Sequence, residues 1–126
     1  MSWCERHRLS LTTDTTSGVT AYTTGAGITG RIQTLIYTAG SAAFTTTCDL
    51  TVSSVNTSQV IYSTTGLDAS EVISPRLPTH NTTGGVIGST TTAGSGTFIY
   101  LHNDQVKVTV VNAGAAKNGT VDVIVS

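Results

Sequence analysis

Apolar and polar residues alternate with period two along most of this chain, and almost nowhere with the 3.6-residue period of an amphipathic helix. Leu9 and Leu11 alternate with Arg8, Ser10 and Thr12, and Cys48, Leu50 and Val52 alternate with Asp49, Thr51 and Ser53. Ile32, Thr34 and Ile36 fall on one face of a strand, and Leu35 and Tyr37 on the other. Val60 shares a face with Tyr62, as Phe98 does with Tyr100. The pattern is clearest in Val106, Val108 and Val110 and then in Val121, Val123 and Val125. The residues between them, Asn112 to Gly119, are rich in turn formers. The two valine strands are therefore predicted to form a hairpin with all six valines on one core-facing side.

Strands are predicted over 8–13, 19–24, 31–38, 47–55, 59–64, 71–75, 97–102, 105–111 and 119–125. The best helical candidate, Leu67-Asp68-Ala69-Ser70-Glu71, amounts to one turn. Short strands spaced by about ten residues, with Gly-rich turns, predict an all-β fold: an antiparallel β-sandwich or a jelly-roll-like barrel. Residues 1–8 read as an N-terminal arm and 9–126 as a single domain. One long irregular stretch runs from Pro75 to Gly96 and contains Gly84-Gly85, Gly88 and Gly94. Loops of that length are usually functional or interfacial.

Composition narrows the function classes. Thr supplies 26 of the 126 residues, only 10% are charged, and the formal net charge is -1. Little charge with abundant β-branched residues excludes a disordered chain. The six basic residues are scattered apart from Arg6 and Arg8, which argues against nucleic acid as partner. The longest apolar runs, such as Phe98-Ile99-Tyr100-Leu101, are far short of the about 20 residues of a spanning helix, so no membrane partner is expected. The first eight residues carry basic groups with no apolar stretch behind them, so no signal peptide is expected and synthesis is placed in a cytoplasm. Cys4 and Cys48 are accordingly read as reduced thiols.

Gly25-Ala26-Gly27-Ile28-Thr29-Gly30 has dinucleotide-fingerprint spacing, but a strand follows it where the mechanism needs a helix N-terminus. It is a glycine-rich turn. Cys4 and His7 are half of a zinc site, with His80, His102 and Cys48 too scattered to complete it. No Gly-x-Ser-x-Gly elbow occurs, and Asp68 with Glu71 do not face each other across a cleft. His102-Asn103-Asp104 reads as a hairpin turn. No catalytic, cofactor or metal residue is assigned. The candidate partner contacts are Pro75 and Arg76, an arginine held at a loop root by a rigid neighbour, and Trp3, Arg6 and Arg8 of the arm.

A longer order of residues carries a resemblance. It runs Gly30-Arg31-Ile32, Asp49-Leu50-Thr51-Val52, then Val72-Ile73-Ser74-Pro75-Arg76 with Thr79 and Gly84. It continues with Tyr100-Leu101, Asp104 to Val110, and Ala113-Gly114-Ala115-Ala116-Lys117-Asn118-Gly119-Thr120-Val121. Over about residues 28–125 the chain resembles small virion structural proteins of tailed bacteriophages, of the head-decoration, cement or capsid-stabilising kind. The resemblance implies a β-sandwich or jelly-roll module without catalytic residues. It implies a virion location after assembly in the host cytoplasm, and the major capsid protein or other virion proteins as partners. A homo-oligomer is expected, with a trimer favoured. The alternatives are a head–tail connector or tail component and, from another class, a carbohydrate-binding module. The last needs exposed aromatic platforms, whereas Tyr22, Tyr37, Tyr62 and Tyr100 mostly sit in strand patterns that look buried.

Overall fold

The computed structural model describes residues 4–14, 20–25, 27–80, 82–84, 86–87 and 96–126, with the side chains of 20, 78–80, 86, 87 and 96 left aside. Every described element is a strand. The first sheet contains β1 (Glu5–Thr12), β12 (Asn118–Val125), β3 (Ile28–Ala39) and β10 (Ile99–Asp104) in that order, with β6 (Glu71–Ile73) paired to the later part of β3. The second contains β2 (Thr20–Thr23), β11 (Val106–Val111), β4 (Asp49–Ser54) and β5 (Val60–Thr65). A small sheet joins β7 (Leu77–His80) with β8 (Val86–Ile87) and β9 (Gly96–Thr97). All pairings are antiparallel.

The two large sheets pack face to face over one core, so the fold is an all-β sandwich, and among the described residues neither sheet closes into a barrel. Leu9, Leu11, Leu35, Val121 and Val123 face inward from the first sheet, opposite Leu50, Val52, Val106, Val108 and Val110 of the second. β-branched side chains suit this surface because their χ1 is already restricted and they fill the pleat.

Several expectations change. The valine strands bury all six valines at 2% exposure or less, but they do not form a hairpin. β11 pairs with β2 and β4, whereas β12 pairs with β1 and β3, so the valines meet across the core from opposite sheets. Residues 112–117 arch from one sheet to the other through three left-handed residues, Asn112, Gly114 and Ala116. The arch is held from outside: Thr13 Oγ1 donates to Gly114 O at 2.7 Å and accepts from Lys117 N at 2.8 Å, and Thr45 N donates to Ala113 O at 3.0 Å. Period-two alternation reports only which way a side chain points, and both arrangements satisfy it.

His102-Asn103-Asp104 likewise leads into a crossing between sheets, not a hairpin. Asn103 takes φ 47, and the buried Asp104 carboxylate accepts from Gln105 N at 2.7 Å and Asn56 N at 2.9 Å. Two bulges reverse the phase of alternation. β3 slips by one residue opposite Ile124 and Val125, so Ile32, Leu35 and Tyr37 all point inward. β5 slips opposite Val52 and Ser53, so Val60 and Tyr62 do not share a face: Ile61 is buried, Tyr62 packs against the core and Val60 is exposed. Glu5 to Arg8, expected in an arm, pair residue for residue with Val125 to Asp122 as the first half of β1. The stretch 75–96, expected as irregular, contains β7 and β8 and reaches the start of β9.

Candidate functional site on the outer face of the first sheet

Strand register decides which side chains share the outer face. Arg8, Asp122, Ile36 and Val72 form one row across four strands, and Arg6, Ile124 and Thr34 form the next. Arg31 stands opposite Tyr100 on the β3–β10 side. Inward neighbours such as Ile32 and Ile99 anchor both strands, so the outward residues are held on a rigid support.

Two kinds of arginine result. Arg8 binds Asp122 through both arms of its guanidinium, Nε to Oδ1 at 2.8 Å and Nη2 to Oδ2 at 3.2 Å. Asp122 is only 5% exposed although it faces outward, because Arg8 and the half-buried Ile36 and Ile124 surround it. The hydrogen bond to Asp122, and then its charge, hold the Arg8 proton more firmly than usual. This pair is internal to the sheet.

Arg76 and Arg31 differ. Buried Pro75 fixes the chain leaving β6, and Arg76 Nη1 donates to Pro75 O at 2.7 Å and to Gln33 O at 3.3 Å. Those bonds place its guanidinium carbon 4.1 Å from the Phe98 ring centroid, and that of Arg31 lies 4.8 Å from the same centroid. Cations within about 6 Å of a ring face are attracted by its quadrupole. Among the described residues no carboxylate forms a salt bridge with either arginine. Tyr100, 64% exposed, borders the cluster.

Of the expected contacts, Arg76 belongs to this cluster. Arg6 is exposed opposite Ile124, and Arg8 is already committed to Asp122. Pro75 is buried and therefore positions Arg76 without offering a surface of its own. Trp3 lies outside the described residues. Sequence reasoning missed Arg31 and Phe98, because their meeting with Arg76 depends on β10 lying beside β3, a pairing across some 70 residues of chain.

Elsewhere, Tyr37 is the one tyrosine in the core, while Tyr22 and Tyr100 are exposed and Tyr62 is half-buried. Both cysteines are free, Cys4 exposed and Cys48 buried, and burial pushes the Cys48 thiol up. His7 accompanies Glu5 at 3.2 Å, and no three His, Cys, Asp or Glu side chains converge among the described residues. No described helix is long and apolar enough to cross a membrane.

No family model matches the chain, and no curated protein is similar to it. Among solved structures, a crystal structure of FLHE aligns over 98% of this chain and 98% of its own, with a TM-score of 0.45 and 7% identity. A likeness that distant carries no argument, and the fold rests on the strand pairing described above.

Proposed function

We propose that this protein is a non-enzymatic structural protein of a phage virion that decorates the capsid and stabilises it by bridging capsid subunits. The observation that carries the reading is the outer face of the first sheet, where Arg31, Phe98 and Tyr100 stand together and Arg76 is held over Phe98. Aromatic side chains are enriched at the centres of protein–protein contacts because they bury much area with few rotamers to freeze, and arginine because its planar fork makes several directed hydrogen bonds. Thr-rich surroundings add hydroxyls on stiff side chains, which lose little entropy on ordering. The sequence resemblance over about residues 28–125 supplies the virion context, with the major capsid protein as partner.

The test compares particles assembled with and without the protein. Heating is expected to release DNA at lower temperature from particles that lack it, and Phe98→Ala protein is expected to restore less protection than the native chain. Equal heat resistance of both particles would overturn the reading. A neck or tail position is the second reading. It is favoured by β5, which has no further strand partner among the described residues, and whose six residues carry no charge and leave backbone groups open for ring closure by strand pairing. Copy number separates the two: hundreds per particle for decoration, about six or twelve for a ring.

A further inference from the structure

Charges on this chain are separated along the strand axis. Arg31 and Arg76 lie toward the end of the sandwich where β3 begins, Arg6 is level with Thr34, and Lys107 follows the first residue of β11. At the opposite end Asp49 opens β4, Asp68 lies in the β5–β6 connection, and Glu71 pairs with Tyr37 near the end of β3. Counter-charges do not erase the division. At the basic end Asp104 is buried under two backbone amides and Glu5 sits beside His7, and at the acidic end Lys117 stands alone among the described basic residues.

The basic end is also electrostatically incomplete. The distances to the shared ring place the Arg31 and Arg76 guanidinium carbons less than about 9 Å apart, close enough for like charges to repel. Phe98 orders both side chains, and two backbone carbonyls hold Arg76 as well, so a carboxylate arriving there costs little further ordering and relieves the repulsion. The chain carries matching carboxylates at its other end: Asp68 and Glu71 are both exposed and form no salt bridge among the described residues.

We propose that the protein associates head to tail with a second copy of itself, the Arg31–Phe98–Arg76 cluster of one subunit receiving Asp68 and Glu71 of the next. The two patches differ, so the contact is heterologous and builds a ring or a filament. With a net charge of only -1, whole-molecule repulsion does little to oppose it. The inference stands independently of the capsid reading, since it concerns only this chain in solution.

Sedimentation velocity on the purified full chain tests it at about 20 mM and about 500 mM salt, which bracket the ionic strength where screening reaches ~10 Å. Oligomers are expected at low salt and monomers at high salt. The Arg31→Glu/Arg76→Glu variant and the Asp68→Lys/Glu71→Lys variant are each expected to be monomeric alone, and an equimolar mixture to reassemble. Unchanged melting temperatures verify that both are folded. If one is not, the neutral Arg31→Gln/Arg76→Gln and Asp68→Asn/Glu71→Gln variants replace the pair and are expected to lose association at low salt. A wild-type chain that stays monomeric at low salt, a swapped mixture that fails to assemble, or neutral variants that still associate would each overturn the proposal. So would binding of a poly-glutamate peptide by a chain that does not self-associate, which would assign the cluster to a different acidic partner.

Discussion

Tyr37 and Tyr100 lie on adjacent strands of the same sheet and point to opposite sides of it. Tyr37 is 2% exposed, stacks on Phe44 with ring centroids 5.6 Å apart, and lies against Gly119. Tyr100 stands on the outer face opposite Arg31. The inner ring contributes stability at a cost, because its buried hydroxyl has no hydrogen-bond partner among the described residues. The outer ring contributes little to stability and is available to a partner. The same residue type thus serves packing on one face and recognition on the other, and the face is set by register rather than by residue identity.

The largest expected effect breaks this contrast directly. Tyr37→Ala removes a packed ring and leaves a cavity, and is expected to cost about 3–5 kcal/mol in denaturant unfolding. Tyr100→Ala is expected to stay within about 0.5 kcal/mol of the native chain. Next comes Gly119→Ala. A methyl group there would lie 2.8 Å from Tyr37 Cε1 and 2.9 Å from its hydroxyl oxygen, so the ring must move, at about 1–3 kcal/mol by the same measurement.

Smaller still, and opposite in sign, is Tyr37→Phe. It keeps the stack and deletes the orphaned hydroxyl, so a gain of about 1 kcal/mol is expected, read as a higher melting temperature. Tyr37 also carries a pH signature. Burial first, and then the neighbouring Cys48 and Asp68, push its phenol up to about 12. An unfolded tyrosine ionises near ~10, so above that pH the unfolded chain releases a proton that the native chain still holds. The stability tied to this group is therefore complete below pH ~10 and is lost as pH rises toward about 12. Thermal melts across that range are expected to show a decline that Tyr37→Phe reduces. The smallest effect concerns Arg76: Arg76→Ala is expected to leave the melting temperature nearly unchanged, because its guanidinium is exposed and holds no carboxylate. Arg8→Ala is expected to lower it measurably, because Asp122 then loses both guanidinium bonds while Ile36 and Ile124 still partly cover it. Equal melts for these two variants would remove the distinction drawn between them.

Much of the architecture was legible in the chain. The valine alternation correctly identifies six core positions, and the spacing of strands and turns gives an all-β fold, sandwich or jelly-roll-like barrel, of which the sandwich is found. The candidate site was legible only in part. Arg76 is found because Pro75 precedes it, but Phe98 and Tyr100 read as two positions sharing a face, with Tyr100 in a pattern that looks buried although it is exposed. The shared face holds, and nothing local says that it points outward. Val60 and Tyr62 are put on different faces by a bulge, which the sequence does not mark with a glycine or proline.

What the sequence determined by itself is therefore the kind of element and the local direction of side chains. β-branched residues restrict the backbone and period two follows from the pleat, so both are short-range properties. Tertiary structure decided the rest: that β11 and β12 face each other across the core, that β10 lies beside β3, and that Asp122 takes Arg8 and leaves Arg31 and Arg76 to share Phe98. Those outcomes depend on which distant strands pair and in which register, and the free energy for that choice comes from burying both inner faces together.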